Sequence, residues 1–311
     1  MPTLFLVTVI TFLLAALVPG DPARIIAGEF ATDEAVEQVR ETLGLNDPWI
    51  ERFGDYLGSI LHGDLGTSVS VQTGRPVADL VMSAVGVTAS VTVLALLLGL
   101  IGGLPIGFAA ALRPNGVVDR VVNGLAALAM AVPQFVTALV LVLFFSINLG
   151  WLPAIGYSPP SRGLWEWLSH LILAALSLAL IPMAEIARQT RGALIDALEK
   201  DYVRMATSSG LRRRRVIVKY ALKNAAIPIA TVFGLQVARV FGGSAVIEFI
   251  FALPGLGSLT IRSVLVRDVP VIQAVALVGA AAVVIVHLVL DISYRYFDPR
   301  LRSASSVGGA R

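Results

Sequence analysis

The chain has 311 residues, of which 56% are hydrophobic and only 14% are charged, and its mean hydropathy is +0.81. One soluble core cannot bury so much apolar surface, so the composition excludes an ordinary soluble domain and predicts a protein that lies in a bilayer. The formal charge of +3 is too small to indicate a nucleic-acid partner, and the absence of cysteine excludes disulfides, thiolate metal sites and thiol nucleophiles.

Six apolar runs follow one another along the chain, and each approaches or exceeds the length of about 20 residues that a helix needs to cross the hydrocarbon. Run 2–19 lacks the basic residues that open a signal peptide, so it is predicted to be a retained helix. The other runs cover residues 85–112, 121–150, 168–187, 225–247 and 269–290. The sequence therefore predicts an all-α, polytopic membrane protein with six transmembrane helices.

The basic residues are unevenly divided between the connections. Sixteen lie in the even-numbered connections and the carboxy-terminal tail, seven lie in the odd-numbered connections, and Arg239 lies inside the fifth run. Because cytoplasmic connections retain lysine and arginine, both termini are predicted to be cytoplasmic. The predicted domains are a first transmembrane helix (1–19), an extracytoplasmic cap (20–83) and a membrane domain (84–311).

The predicted cap carries eleven acidic and four basic residues. A helix is expected after Asp47-Pro48, a capping residue followed by a proline that suits the first helical position. Its apolar face consists of Ile50, Phe53, Leu57, Ile60 and Leu61. Two interpretations stay open: this face packs on the membrane helices, or it is a docking surface for an extracytoplasmic partner.

The cytoplasmic connection 188–224 is too long and too charged for a simple turn. Its pattern predicts a helix that runs to Ala206, a stop at Gly210 and a second helix over 212–222. Glycine enters the left-handed backbone region without a Cβ penalty, which makes Gly210 a good helix stop. The four consecutive arginines, residues 212–215, are expected to lie at the anionic cytoplasmic leaflet.

Sequence motifs for catalysis are missing. The chain has no GxxxxGK[ST] phosphate loop, no HExxH pair and no GxSxG elbow, and its three histidines stand far apart. We therefore expect no bound nucleotide, metal or other cofactor in this chain, and no enzymatic activity.

A few polar residues inside the apolar runs are candidates for a translocation pathway. An arginine at bilayer depth costs about 2.5–3.5 kcal/mol on insertion scales, so Arg239 is expected to face protein or a water-filled lumen. It would either contact a carboxylate or carbonyl group in such a lumen, or tie two helices together. Glu248 is expected near the external surface, as a gate or an interfacial charge. Gln134 and Gln236 are further candidates, whereas glycines 99, 103 and 107 predict a close-packed helix face.

Short motifs throughout the chain resemble the dipeptide/oligopeptide/nickel permease family, which supplies the membrane subunits of binding-protein-dependent ABC importers. The similar segments are LVPGDP (17–22), GDLGTS (63–68), GRPV (74–77), DYVRMATSSGL (201–211), PGLG (254–257), RDVP (267–270) and DPR (298–300). Each motif is weak alone, but their order and spacing together are specific. Segment 201–211 is similar to the family's version of the EAA loop.

The resemblance implies a type I ABC importer permease fold and an ATP-driven importer in the bacterial cytoplasmic membrane. Its expected partners are a second homologous permease, two ATPase subunits that hold ATP and Mg²⁺, and an extracytoplasmic substrate-binding protein. It leaves the substrate open among dipeptides, oligopeptides and nickel chelates. The coupling residues it implies are Asp201, Tyr202, Arg204, Met205, Ala206 and Gly210.

Two other classes of protein fit the sequence less well. A stand-alone secondary transporter or channel would use Arg239 and Glu248 as an ion-coupling pair, but it has no need of a long cytoplasmic helical module and would often show inverted repeats. An intramembrane enzyme is disfavoured because its nucleophile, metal and paired-acid patterns are missing.

Overall fold

A computed structural model describes residues 2–17, 22–27, 31–42 and 44–297. Within these ranges the regular elements are helical, apart from one isolated antiparallel bridge between Thr67 and Pro76. Most of the LVPGDP motif, the DPR motif and the last tail arginines lie outside the described residues. The all-α prediction is confirmed for the described part of the chain.

The longest helices are those of the predicted membrane domain. They are α5 (Val77–Ala111), α8 (Leu164–Leu198), α11 (Leu222–Ile250) and α13 (Val269–Phe297). Prolines 105, 182 and 228 lie inside α5, α8 and α11. All four helices are long and apolar enough to cross a bilayer, and they extend beyond the apolar runs because helical hydrogen bonding continues into the polar connections.

The third apolar run is not one straight helix. It forms α6 (Val117–Ala131) and α7 (Gln134–Leu141), which continues as a π-helical turn over Val142–Asn148, and the two parts meet at an angle of 103°. Pro133 lies at the break and lacks the amide hydrogen that would continue the helix. The span predicted over 121–150 therefore consists of two helical segments joined at Pro133, and its crossing of the bilayer stays a prediction.

The number of transmembrane helices stays a prediction. The described residues contain four spanning helices, or five when the bent pair counts as one. The first apolar run forms α1 (Pro2–Leu17), whose 16 residues are fewer than the about 20 of a straight span. The sidedness of the termini is also still a prediction.

The connection predicted over 188–224 is more continuous with the membrane helices than expected. Its first part belongs to α8, and a break at Glu199-Lys200 separates α8 from α9 (Asp201–Ser208). The short α10 (Arg213–Arg215) and a π-helical turn (Val216–Ala221) lead directly into α11. The single helix expected up to Ala206 is therefore two helices.

The described chain divides into two compact units. The first comprises residues 1–87 and 254–282, and the second comprises residues 88–253 and 283–311. The first unit contains α2 (Pro22–Ala27), α3 (Asp33–Thr42), α4 (Trp49–Leu61) and α12 (Leu256–Leu265), a helix that the sequence did not predict.

Aromatic side chains join α4 to α1 in the first unit. The ring of Phe12 lies 5.2 Å from that of Phe53, 5.7 Å from that of Tyr56 and 6.1 Å from that of Trp49. These contacts confirm that part of the α4 face packs on an apolar helix. Ile50 and Leu61, which were predicted on the same face, are exposed.

One carboxylate in the first unit links two motifs that are 200 residues apart in sequence. Asp268 Oδ2 accepts hydrogen bonds from Ser68 Oγ at 2.6 Å, from the Ser70 amide at 2.9 Å and from the Val71 amide at 2.8 Å. Burial disfavours the Asp268 carboxylate, but these donors outweigh it and hold its pKa below the ordinary value. The RDVP motif thus fixes the segment that follows GDLGTS.

We expect Asp268→Asn to loosen this segment, because the charged acceptor is replaced by a neutral one while the shape is kept. The loss should be about 1–2 kcal/mol, seen as roughly tenfold faster hydrogen–deuterium exchange in peptides that cover 68–76. Asp79→Asn, at an exposed position in the first turn of α5, is the control and should change nothing.

The same contact sets a pH dependence. Because the pKa of Asp268 is lower in the folded protein than its ordinary 3.8, its stabilising contribution is present above that value and is lost as the pH falls through the folded pKa. Protection over 68–76, taken as the exchange rate relative to the intrinsic rate at each pH, should therefore fall below about pH 4 in the parent protein and much less in Asp268→Asn. An equal fall in both proteins would contradict the role of this carboxylate.

Glycines bring α5 and α8 together in the second unit. A Cβ on Gly99 would lie 3.2 Å from Pro182 Cβ, and one on Gly103 would lie 2.8 Å from the Met183 carbonyl oxygen. A Cβ on Gly107 would overlap the Ala187 carbonyl oxygen and would lie 2.8 Å from Thr190 Cβ. The predicted close-packed face is confirmed, and α8 is its partner.

Candidate coupling and translocation sites

Helix α9 is short, and one of its faces is anchored. Val203 and Ala206 are buried with Val216, and Leu198, Leu211 and Tyr220 pack against this cluster. The anchor joins α9 to the end of α8 and to the π-helical turn that precedes α11. Because both flanking helices share the cluster, α9 is held to the second unit on two sides.

The carboxyl end of α9 is closed by a Schellman motif. The Leu211 amide donates to the Ala206 carbonyl, and the Gly210 amide donates to the Thr207 carbonyl. Gly210 has φ +76°, and no heavy atom lies within 4 Å of a Cβ placed there. Glycine is therefore needed for its backbone conformation and not for space, as the sequence predicted.

The opposite face of α9 points outward. Asp201, Tyr202, Arg204 and Met205 are exposed, and Met205 is 74% exposed although it is apolar. Ala206, which was predicted among the presented residues, is buried and belongs to the anchor. The predicted coupling residues thus divide into an exposed face, an anchoring alanine and a terminating glycine.

A polar contact joins α8 to α11 in the second unit. Glu185 Oε1 accepts a hydrogen bond from the Arg239 guanidinium at 2.7 Å, and Glu185 Oε2 accepts one from the side-chain amide of Gln236. Gln236 is buried, whereas the Arg239 side chain is 62% exposed. Of the two roles predicted for Arg239, the interhelical tie has a contact in the structure. Contact with a substrate stays a prediction.

Glu248 is buried among helices of the second unit, and its predicted location near the external surface stays a prediction. Its side chain is fully buried, and its Oε1 accepts hydrogen bonds from Thr88 at 2.7 Å and from Ser244 at 3.0 Å. Ionisable groups that are buried this deeply need polar partners, and the two hydroxyls supply them. The ion-coupling pair of the alternative hypothesis is not formed, because Arg239 pairs with Glu185.

Gln134 lies at the bend between α6 and α7. A Cβ on Gly243 of α11 would lie 3.3 Å from Gln134 Oε1, so the amide rests against this glycine. Gly243 is four residues beyond Arg239, which places it on the same side of α11. One side of α11 therefore carries Gln236 and Arg239, and Gln134 of α7 lies against the same side.

A second ion pair was not predicted from the sequence. Arg191 of α8 makes two parallel hydrogen bonds to Asp119 at the start of α6, one of them at 2.7 Å to Oδ2. Asp119 also accepts hydrogen bonds from the Asn115 amide and from Asn123. No signal in the sequence pairs residues that are 72 positions apart. The helical spacing of Glu185, Arg188 and Arg191 could, however, have indicated a polar face on α8.

The chain matches two family profiles. The profile of the binding-protein-dependent transport system inner membrane component matches residues 103–303. The profile of its N-terminal part matches residues 1–92. The chain belongs to this family. It is 39% identical to the probable peptide ABC transporter permease protein y4tP of Sinorhizobium fredii, over 96% of this chain and 94% of that protein. It is 36% identical to the dipeptide transport system permease protein DppB of Alkalihalophilus pseudofirmus, over 97% and 96%.

Solved structures share the fold of the permease. It resembles an inward-facing structure of the MetNI methionine ABC transporter with a TM-score of 0.58 at 18% identity, over 70% of this chain and 96% of that one. An amino acid ABC transporter gives a TM-score of 0.54, also at 18% identity, over 70% and 94%. The predicted type I importer permease fold is confirmed.

The family assigns the general role. The permease is the membrane-spanning subunit of an ABC import system in the bacterial inner membrane, and its family consists of transport subunits and not of enzymes. Membership implies an ATPase partner and a substrate-binding protein.

The contact between α8 and α11 can be measured by a double-mutant cycle with Glu185→Gln and Arg239→Gln. Because Arg239 is largely exposed, we expect a coupling free energy of only about 1 kcal/mol, measured by thermal unfolding of the purified permease in detergent. The exposed pair of Asp201 and Arg204, whose closest atoms are 3.8 Å apart, is the control and should couple by less than about 0.5 kcal/mol. Equal coupling in the two pairs would contradict the interhelical tie.

Proposed function

We propose that the permease couples ATP hydrolysis by partner subunits to the import of dipeptides or oligopeptides, and that α9 receives the motion. The observation that carries this proposal is the division of α9 into a buried anchor and an exposed face. Met205 is three-quarters exposed beside charged Asp201 and Arg204, while Val203 and Ala206 are fixed below them. An exposed apolar side chain on a rigid helix is suited to insertion into a groove of another protein.

The contacts explain how a push on α9 would reach the membrane. The anchor holds α9 to the end of α8 and to the turn before α11, and Glu185 ties α8 to Gln236 and Arg239 of α11. A second buried cluster joins Leu194 and Ala197 of α8 to Ala221 in the turn before α11. α8, α9 and α11 would therefore move together as one body when the ATPases close, which is a form of alternating access.

The proposed assembly contains two permeases, this chain and a second homologous one, with two ATPase subunits on the cytoplasmic side. ATP and Mg²⁺ bind to the ATPases, and an extracytoplasmic binding protein delivers the substrate. The ATPases contact the exposed face of α9, residues Asp201, Tyr202, Arg204 and Met205. Gln134, Gln236 and Arg239 lie along the pathway, and buried Glu248 holds α5 to α11 beside it.

The substrate class rests on the relatives. Those with 36–39% identity carry the names of peptide, dipeptide and oligopeptide permeases. A glutathione permease of Escherichia coli, GsiC, is 38% identical, and glutathione is itself a small peptide. A polar pathway with an arginine in it suits a substrate that carries amide and carboxylate groups.

The test is recovery of the partner subunits. The tagged permease is purified in mild detergent from cells that express the full transport system, and the bound proteins are identified by mass spectrometry. The parent protein should retain the ATPases and a second permease, and Met205→Glu should lose the ATPases by placing a charge in the groove. Val218→Glu makes the same change at an exposed cytoplasmic position outside α9 and is the control. ATPases retained by Met205→Glu would overturn the docking role of α9.

A second measurement addresses transport itself. Uptake of tripeptides into proteoliposomes with the complete assembly should require ATP inside and the binding protein outside. Uptake by the permease alone, without an ATPase, would overturn the proposed function and favour a secondary transporter.

A further inference from the structure

An open-sided polar cavity of about 380 Å³ lies in the second unit between α6, α8 and α11. Its polar lining consists of Asn123, Glu185, Arg188, Gln189 and Arg191. The volume falls in the range of ordinary small-molecule sites, about 300–1,000 Å³. The cavity is distinct from the exposed face of α9.

The charges of this cavity do not balance. Glu185 is neutralised by Arg239, and Arg191 is neutralised by Asp119. Arg188 remains, and its contact is a long one of 3.6 Å to the Met130 sulfur, which is a weak acceptor. Within the described residues, no acidic group lies within ion-pair distance of Arg188. The cavity therefore carries one positive charge in excess.

The position of Arg188 restricts what can face it. It lies ten residues before the end of α8, which corresponds to about 15 Å along the helix axis. Arg188 directly follows the apolar run 168–187, so it is expected at the cytoplasmic end of the span, and the charged face that it shares with Glu185 borders water or protein because charges are costly against lipid tails. A water-filled cavity on the path from the membrane to the cytoplasm meets that requirement.

We propose that Arg188 binds the carboxylate of the substrate in this cavity, with the Gln189 amide as a second donor. A guanidinium presents parallel N–H groups that match the two oxygens of a carboxylate, which makes an uncompensated arginine a good carboxylate receptor. This inference rests on the proposed function, because a peptide carries a free carboxylate at its C-terminus. It assigns to this chain a share in substrate selection.

The excess charge can be measured without any substrate, since the chain contains no cysteine. Gln189→Cys is introduced into the complete assembly, and its modification is followed by mass spectrometry of this subunit. The reagents are two methanethiosulfonates of similar size, one with a sulfonate and one with a trimethylammonium group. With each rate divided by that of the same reagent with a free thiol in solution, the anionic reagent should react at least about threefold faster than the cationic one, because the cavity attracts anions.

Changes at Arg188 should control that ratio. Adding Arg188→Gln should bring the ratio close to one, and Arg188→Lys should keep it. Val218→Cys, at an exposed position outside α9, is the control site, and its ratio should not respond to Arg188→Gln. An unchanged ratio at residue 189, or no reaction with either reagent there or in Asn123→Cys, would overturn the inference.

The occupant is tested by protection. Trialanine should slow modification of Gln189→Cys by the cationic reagent more strongly than trialanine C-terminal amide, and Arg188→Gln should abolish the difference. Equal protection by the two peptides would overturn the carboxylate assignment. Slowing by phosphatidylglycerol vesicles, relative to phosphatidylcholine vesicles, without protection by trialanine would show a lipid headgroup in the cavity instead. The reagent ratio does not depend on ATP, so failure of ATP-dependent uptake counts separately against the proposed function.

Discussion

Gly107→Leu should prevent the permease from folding stably. A Cβ at this position overlaps the Ala187 carbonyl oxygen and comes within 2.8 Å of Thr190, so α5 and α8 cannot keep their separation. Overpacking usually costs about 1–3 kcal/mol, and the cost here should exceed about 3 kcal/mol because one of the opposing atoms belongs to a helix backbone and cannot rotate away. We expect aggregation in size-exclusion chromatography and loss of protein from the membrane fraction.

A glycine on the same helix supplies the control. Gly86 also lies in α5, but no heavy atom is within 4 Å of a Cβ placed there. Gly86→Leu should therefore give a monodisperse protein at nearly the parent yield. Normal behaviour of Gly107→Leu would mean that α5 and α8 are not in close contact.

Gly210→Val should uncouple ATP hydrolysis from uptake while the membrane helices stay folded. A β-branched residue at φ +76° is strained by about 1–3 kcal/mol, and the Schellman motif that ends α9 would be lost. The exposed face of α9 would then no longer be held in one orientation. We expect peptide uptake in proteoliposomes to fall at least about tenfold, a loss that corresponds to about 1.4 kcal/mol.

A second substitution at residue 210 distinguishes backbone strain from the effect of adding a side chain. Asparagine tolerates the left-handed region far better than valine, so Gly210→Asn should retain most of the uptake. No heavy atom lies within 4 Å of a Cβ at this position, so both variants should show the parent elution profile and thermal stability of the membrane helices. Unchanged uptake in Gly210→Val would contradict the role of this turn.

Several features of the protein are determined by the sequence itself. The apolar runs predict helices because a bilayer requires each segment to satisfy its own backbone hydrogen bonds. Gly210 marks a helix end because its conformation is a property of one residue and its immediate neighbours. Gly99, Gly103 and Gly107 lie on one face of a helix and predict close packing there, although the sequence does not indicate which helix packs against them.

Only the tertiary structure decided the polar contacts. The pairs Asp268 with Ser68, Asp119 with Arg191 and Glu185 with Arg239 are separated by 200, 72 and 54 residues. Sequence periodicity shows which face of a helix is polar, but it carries no information on the helix that this face meets. That is why the isolated Arg239 could be singled out from the sequence and its partner could not.

The same limit explains why the burial of two predicted site residues could not be read from the sequence. Ala206 follows Met205 in the motif, yet it turns inward because Val203, Val216 and Leu211 form a cluster beneath α9. Glu248 was predicted as a gate or an interfacial charge, yet it is fully buried and accepts a hydrogen bond from Thr88 of another helix. The sequence determined the family, the helices and the turn at Gly210, which depend on local hydrogen bonding and hydrophobicity. The tertiary structure decided which side chains are presented, paired or buried, because those depend on helices that are distant in sequence.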